Sequence, residues 1–164
     1  MHPSNILVFV LVFALISCNK KEKQSEGSDI ATRKIEAMNK HDLDALGNLY
    51  SDSARIQSVG FEPTEIGPAG IKGVYTRYFA STPDLKFEIS RITTTYESVV
   101  IEYTSSGTMQ QSPLEAVVPA YMIGKPYSLK NCTRIDVKNG KIVAEMTYFD
   151  QLAFLRQMGF FDQR

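Results

Sequence analysis

Histidine and cysteine each occur only twice in the 164 residues, and one of each, His2 and Cys18, falls near the start of the chain. His41 and Cys132 remain, and they offer no zinc-ligand spacing, so no metal site is expected. Neither charge is in surplus. The 18 Lys and Arg balance 18 Asp and Glu, which removes the general attraction to phosphate that nucleic-acid binding needs. Seven Pro and ten Gly are too few for a low-complexity chain, and no internal period points to a solenoid or propeller. There is no glycine-rich phosphate loop and no dinucleotide fingerprint, so no cofactor is expected. What is present, 43% hydrophobic and 22% charged residues, is an ordinary balance for one domain with a sizeable core.

The first segment stands apart. Residues Ile6 to Ile16 are eleven consecutive apolar side chains, short of the about 20 that a membrane-crossing helix requires. Ser17 and Cys18 end the run and the polar string NKKEKQSEGS follows, as in an export signal giving way to a linker. The stretch Leu15, Ile16, Ser17, Cys18 resembles a bacterial lipobox, which implies cleavage before Cys18 and lipidation of its sulfur. The expected organisation is a signal peptide over 1–17, a flexible linker over 18–27 and one domain over 28–164. The mature protein would then be lipid-anchored at the cell envelope, and Cys132 would have no internal disulfide partner and would be a small core residue.

Beyond the linker the hydrophobic period changes along the chain. Ala31, Ile35 and Met38 fall on one helical stripe and Leu43, Leu46 and Tyr50 on another, with Asp42 as N-cap of the second helix. A short strand is expected at Arg55–Val59 and a turn-rich loop from Gly60 to Gly67 around Pro63. A third helix opens at Pro68 and carries Ile71, Val74, Tyr75 and Tyr78 on one stripe. From Leu85 the period becomes two. Leu85, Phe87 and Ile89 alternate with polar residues, as do Val99, Ile101 and Tyr103. Residues 111–126 read as an irregular connection. Leu129, Asn131, Thr133, Ile135 and Val137 share a face, and Asn139-Gly140 signals a hairpin. After it Ile142, Ala144, Met146, Tyr148 and Asp150 share the inward face of the last strand, and a closing helix ends at Gly159. These elements imply an α+β domain: three N-terminal helices on the concave face of a curved antiparallel sheet, and a short C-terminal helix.

Several strings, in this order, carry a family resemblance: HDLDAL from His41, LYS from Leu49, GPAGIKGVYTRYF from Gly67, PDLKFEI from Pro83 and NGKIVAEMTYFDQLAFLRQMG from Asn139. Together they resemble the SnoaL-like branch of the nuclear transport factor 2-like superfamily, with its polyketide cyclase relatives. The resemblance implies a cone around an apolar pocket, cofactor-free chemistry and a homodimer formed through the outer face of the sheet. It also implies that an acidic residue near the chain end, best matched by Asp150, acts as general acid/base α to a carbonyl; Tyr148, two residues away on the same strand face, is close enough by strand spacing to assist as a hydrogen-bond donor. One departure is the absence of Trp, with Tyr103 and Met146 where relatives commonly place a large aromatic.

The expected pocket wall comprises Tyr50, Tyr75, Tyr78, Tyr103, Asn131, Thr133 and Met146. For the tyrosines, plain core packing competes with ligand contact. For Asp150, helix capping competes with catalysis, because hydrogen bonds from free N–H groups favour the ionised carboxylate. His41 reads as a loop residue between helices. Two classes of function stay open: an acid/base isomerase, cyclase or hydratase acting on a small hydrophobic molecule, or a lipoprotein that binds a small ligand or a protein partner without catalysis.

Overall fold

The computed structural model describes residues 26–59, 61–95, 98–114 and 118–163. The eleven-residue apolar run, Cys18 and most of the expected linker lie outside these residues, although 26 and 27 are already helical. Helix α1 covers 26–39 and α2 covers Leu43–Gly47. The turn between them is tight: His41 sits at φ 52°, and Asp42 caps α2 by accepting the Ala45 N–H at 2.9 Å. His41 is locked rather than free, its ring stacked 3.8 Å from that of Phe79 and its Nε2 3.0 Å from the Leu85 carbonyl.

Strand β1 spans Tyr50–Ser58 and pairs with β2, Phe61–Ile66, where the sequence suggested a loop. Pro63 is tolerated because β2 is an edge strand and needs a partner on one side only. Helix α3, Gly67–Ser81, starts with Pro68 in its first turn. Strands β3 (Lys86–Thr94), β4 (Ser98–Thr108), β5 (Pro126–Lys138) and β6 (Lys141–Phe149) follow, then α4 (Gln151–Gln157). A single 3-10 turn, Ala120–Met122, lies in the irregular connection between β4 and β5.

The six strands run in the order β2-β1-β6-β5-β4-β3. The sheet is mixed, not wholly antiparallel, since β1 pairs with β6 in parallel. That pairing puts the first long strand beside the last, so residues almost a hundred apart meet in the middle of the sheet. Register shifts in β1, β3 and between β5 and β6 bend it around the helices. The core between helices and sheet gathers Ile30, Ile35 and Met38 of α1 with Ile71 of α3, Ile101 of β4 and Ile135 of β5, all nearly sealed from solvent. Asn39 at the end of α1 clamps this layer to β3 by exchanging two 2.8 Å hydrogen bonds with the Phe87 backbone.

One local irregularity decides what the site contains. In the β5–β6 hairpin, Asn139 and Gly140 both take positive φ, as the turn requires. Just beyond it Val137 pairs with Ile142, but Asp136 pairs with Ala144, so Val143 is an extra residue on β6. A one-residue bulge exchanges the two faces of everything that follows. Ile142 stays inside; after it the inward residues are Glu145, Thr147 and Phe149.

Candidate active site

Between the helices and the sheet lies a mainly apolar cavity of about 690 Å³. Helix α3 lends it Ile71, Val74, Tyr75 and Tyr78, and β3 and β4 lend Phe87 and Tyr103. From β5 come Leu129 and Asn131, and from α4 comes Phe154. Toward solvent, Arg77 and Glu65 pair at 3.1 Å across the α3–β2 edge.

The polar centre of the cavity is Glu145. Its residue is only 6% exposed, and it is the one buried carboxylate among the described residues that lines the cavity. Removing a carboxylate from water is costly unless its charge is compensated and its lone pairs are used. Lys34, fully buried in α1, supplies the charge from 3.3 Å on Oε1. Tyr50 donates its phenol hydrogen to Oε2, and Thr147 donates to Oε1 at 3.3 Å. The Lys34 ammonium is itself steadied by Met38 Sδ at 3.4 Å and by the face of the Tyr75 ring, 5.6 Å away. Side chains of α1, β1 and β6 therefore converge on one carboxylate.

A second set of hydroxyls extends this network across the sheet. Thr147 Oγ1 lies 2.8 Å from Thr133 Oγ1, which lies 3.1 Å from the Tyr103 hydroxyl. Burial pushes the phenols of Tyr50, Tyr75 and Tyr103 up from the ordinary tyrosine range, and the Glu145 charge adds to the rise at Tyr50 and Tyr75. All three are neutral hydroxyls at physiological pH. Among the described residues no group of His, Cys, Asp and Glu could hold a metal ion.

Of the residues expected in the pocket, Tyr75, Tyr78, Tyr103 and Asn131 line it. Tyr50 and Thr133 lie one hydrogen bond behind it. The bulge sends Met146 and Tyr148 to the opposite face, where Tyr148 is 51% exposed beside Cys132, its half-buried cross-strand partner. Asp150 is exposed, lies outside the cavity lining and caps α4, accepting the Ala153 N–H at 2.9 Å. The capping alternative is thus realised at Asp150, and the inward face expected for β6 belongs to the other set of residues.

Three residues of the network escaped the sequence reading: Lys34, Glu145 and Thr147. Lys34 lies on the α1 stripe with Ala31, Ile35 and Met38, and a lysine on an apolar stripe is a signal in itself. Glu145 was hidden by the bulge, which strict alternation cannot anticipate.

The family model for SnoaL-like polyketide cyclases matches residues 28–158. Among solved structures, a putative SnoaL-like polyketide cyclase from Jannaschia sp. superposes with a TM-score of 0.71 at 15% identity, covering 82% of this chain and 92% of that one. The putative polyketide cyclase IdmH from Streptomyces antibioticus gives 0.66 at 27% identity, covering 81% and 98%. An epoxide hydrolase of the LEH-like type from M. tuberculosis gives 0.63 at 18% identity, covering 82% and 90%. No curated protein matches the chain.

Proposed function

The chain belongs to the SnoaL-like polyketide cyclase family, and on that premise we propose that it is a cofactor-free acid/base enzyme with Glu145 as its general base. The observation that carries this reading is a buried carboxylate facing an apolar cavity, with its charge compensated from behind by Lys34 and its second oxygen hydrogen-bonded by Tyr50. The substrate class is a small hydrophobic carbonyl compound. Glu145 takes a proton from the carbon next to the carbonyl: the C–H bond breaks, an O–H bond forms on the carboxyl group, and the electron pair moves toward the carbonyl oxygen. The resulting enolate can be reprotonated elsewhere or attack a second carbonyl, which gives isomerisation or cyclisation. An apolar cavity shields this charge from water, and a positioned base contributes about 10²–10⁴-fold to such a step.

The test is hydrogen–deuterium exchange into aryl and alicyclic ketones such as acetophenone and 2-tetralone in D₂O, followed by NMR. Catalysed exchange that falls about 100-fold in Glu145→Gln is the expected result. Equal exchange by the variant, or none by the wild-type protein, overturns the assignment.

We further propose that the domain works at the cell envelope, tethered by lipid on Cys18, and that it forms a homodimer. The apolar run and the Leu15–Cys18 string support the tether. Mass spectrometry of the membrane-extracted protein tests it: a chain beginning at acylated Cys18 is expected, and an intact Met1 overturns it.

A further inference from the structure

The network behind the cavity has a direction. An ionised carboxylate only accepts, so Thr147 spends its one hydroxyl hydrogen on Glu145 Oε1 at 3.3 Å. Thr133 must then donate to Thr147 across 2.8 Å, and Tyr103 must donate to Thr133 across 3.1 Å. With Glu145 ionised, every hydrogen in the row points toward it and the Tyr103 oxygen offers the cavity only lone pairs. A protonated Glu145 becomes a donor to Thr147. Each hydroxyl then turns about its C–O bond, and the Tyr103 hydrogen is released toward the cavity that its ring lines.

We propose that the row Glu145–Thr147–Thr133–Tyr103 couples the protonation state of the base to the hydrogen-bonding sense of Tyr103, making Tyr103 the donor to the substrate oxygen. This deepens the general-base reading of Glu145 and rests on it. As the C–H proton arrives on Glu145 and negative charge builds on the carbonyl oxygen, the row reverses and Tyr103 donates to that oxygen. No O–H bond in the row breaks; the only covalent changes are the C–H bond lost and the carboxyl O–H bond gained. A donor that appears as the oxyanion forms favours the transition state over the ground state. Position also matters: the row crosses β6, β5 and β4 and so joins two walls of one cavity. Both threonines act through Glu145 and Tyr103 and are positioning residues: Thr147 lines the cavity beside Glu145, and Thr133 lies behind it.

The titratable groups facing Glu145 are Lys34 of α1, Tyr50 of β1, Tyr75 and Tyr78 of α3 and Tyr103 of β4. Tyr50 touches Glu145 directly, whereas Tyr103 reaches it only through two threonines, so Tyr50 is an internal control. Tyrosines of the whole protein are labelled with ¹³C at Cζ, assigned with Tyr50→Phe and Tyr103→Phe, and followed by NMR against pH without any ligand. The expected result is one inflection shared by Tyr50 and Tyr103 as Glu145 titrates. In Thr133→Val the Tyr103 inflection is lost and that of Tyr50 is kept; Thr133→Ser restores the Tyr103 inflection. Should Thr133→Val fail to fold, Thr147→Val breaks the row at its next link and must give the same loss. An inflection at Tyr50 alone in the wild-type protein, or one at Tyr103 that survives either valine variant, overturns the coupling while leaving the general-base reading to the ketone exchange. No inflection at Tyr50 also overturns it, because a base held in one charge state has nothing to relay.

Discussion

The ammonium of Lys34 and the carboxylate of Glu145 lie 3.3 Å apart with side chains 0% and 4% exposed, so an ion pair joins the first helix to the last strand inside the core. Breaking such a pair from one side leaves the other charge buried without compensation. Lys34→Met is expected to lower stability by about 3–5 kcal/mol, and Lys34→Met with Glu145→Leu to recover most of that loss. Urea unfolding measures both, and a single variant as stable as the wild-type protein would contradict the pairing.

Asp150 offers the contrasting case. Its carboxylate caps α4 from an exposed position, so Asp150→Ala is expected to cost about 1 kcal/mol of stability. Ketone exchange should stay at the wild-type rate. A large loss of exchange with intact folding would return the acid/base role to this residue.

The buried phenols set an alkaline limit on stability. An unfolded tyrosine titrates at about 10, while Tyr50, Tyr75 and Tyr103 are held higher by burial. Above that pH the unfolded chain has released protons that the native state keeps, so stability falls as pH rises, and the contribution is fully present below it. Tyrosinate absorbance during an alkaline titration should show a late group of phenols that ionises together with loss of helical circular dichroism. All eight tyrosines titrating together ahead of unfolding would refute this.

Gly67 is the hinge on which α3 enters the cavity wall. It sits at φ +62°, and an added Cβ would lie 2.5 Å from the Asp52 carbonyl oxygen. Gly67→Ala is expected to cost about 1–3 kcal/mol from the left-handed backbone, with the collision adding to it. Thermal melting reads the loss, and an unchanged melting temperature would mean that the start of α3 can rearrange.

Much of the architecture was legible locally. The α1 stripe, the Asp42 cap, the entry of α3 at Pro68, the strand faces of β4 and β5 and the turn at Asn139-Gly140 follow from spacing and from the backbone demands of single residues. Strand β2 was missed because Pro63 argues against a strand unless that strand lies at an edge, and edges are defined only once the sheet is assembled. Four of the expected pocket residues, Tyr75, Tyr78, Tyr103 and Asn131, line the cavity, and all four lie on elements whose local period the β6 bulge leaves undisturbed.

The amino-acid order alone determined most of the secondary-structure sequence, with β2 the exception, together with the two caps and the family, since these depend largely on neighbours a few residues apart. Only the tertiary structure decided which acidic side chain enters the cavity. That choice depends on how β6 pairs with β5 and β1, and the extra residue at Val143 turned Glu145 inward while Asp150 stayed in water. The lysine that compensates Glu145 lies more than a hundred positions earlier, and only the packing of α1 on the sheet brings the two charges together.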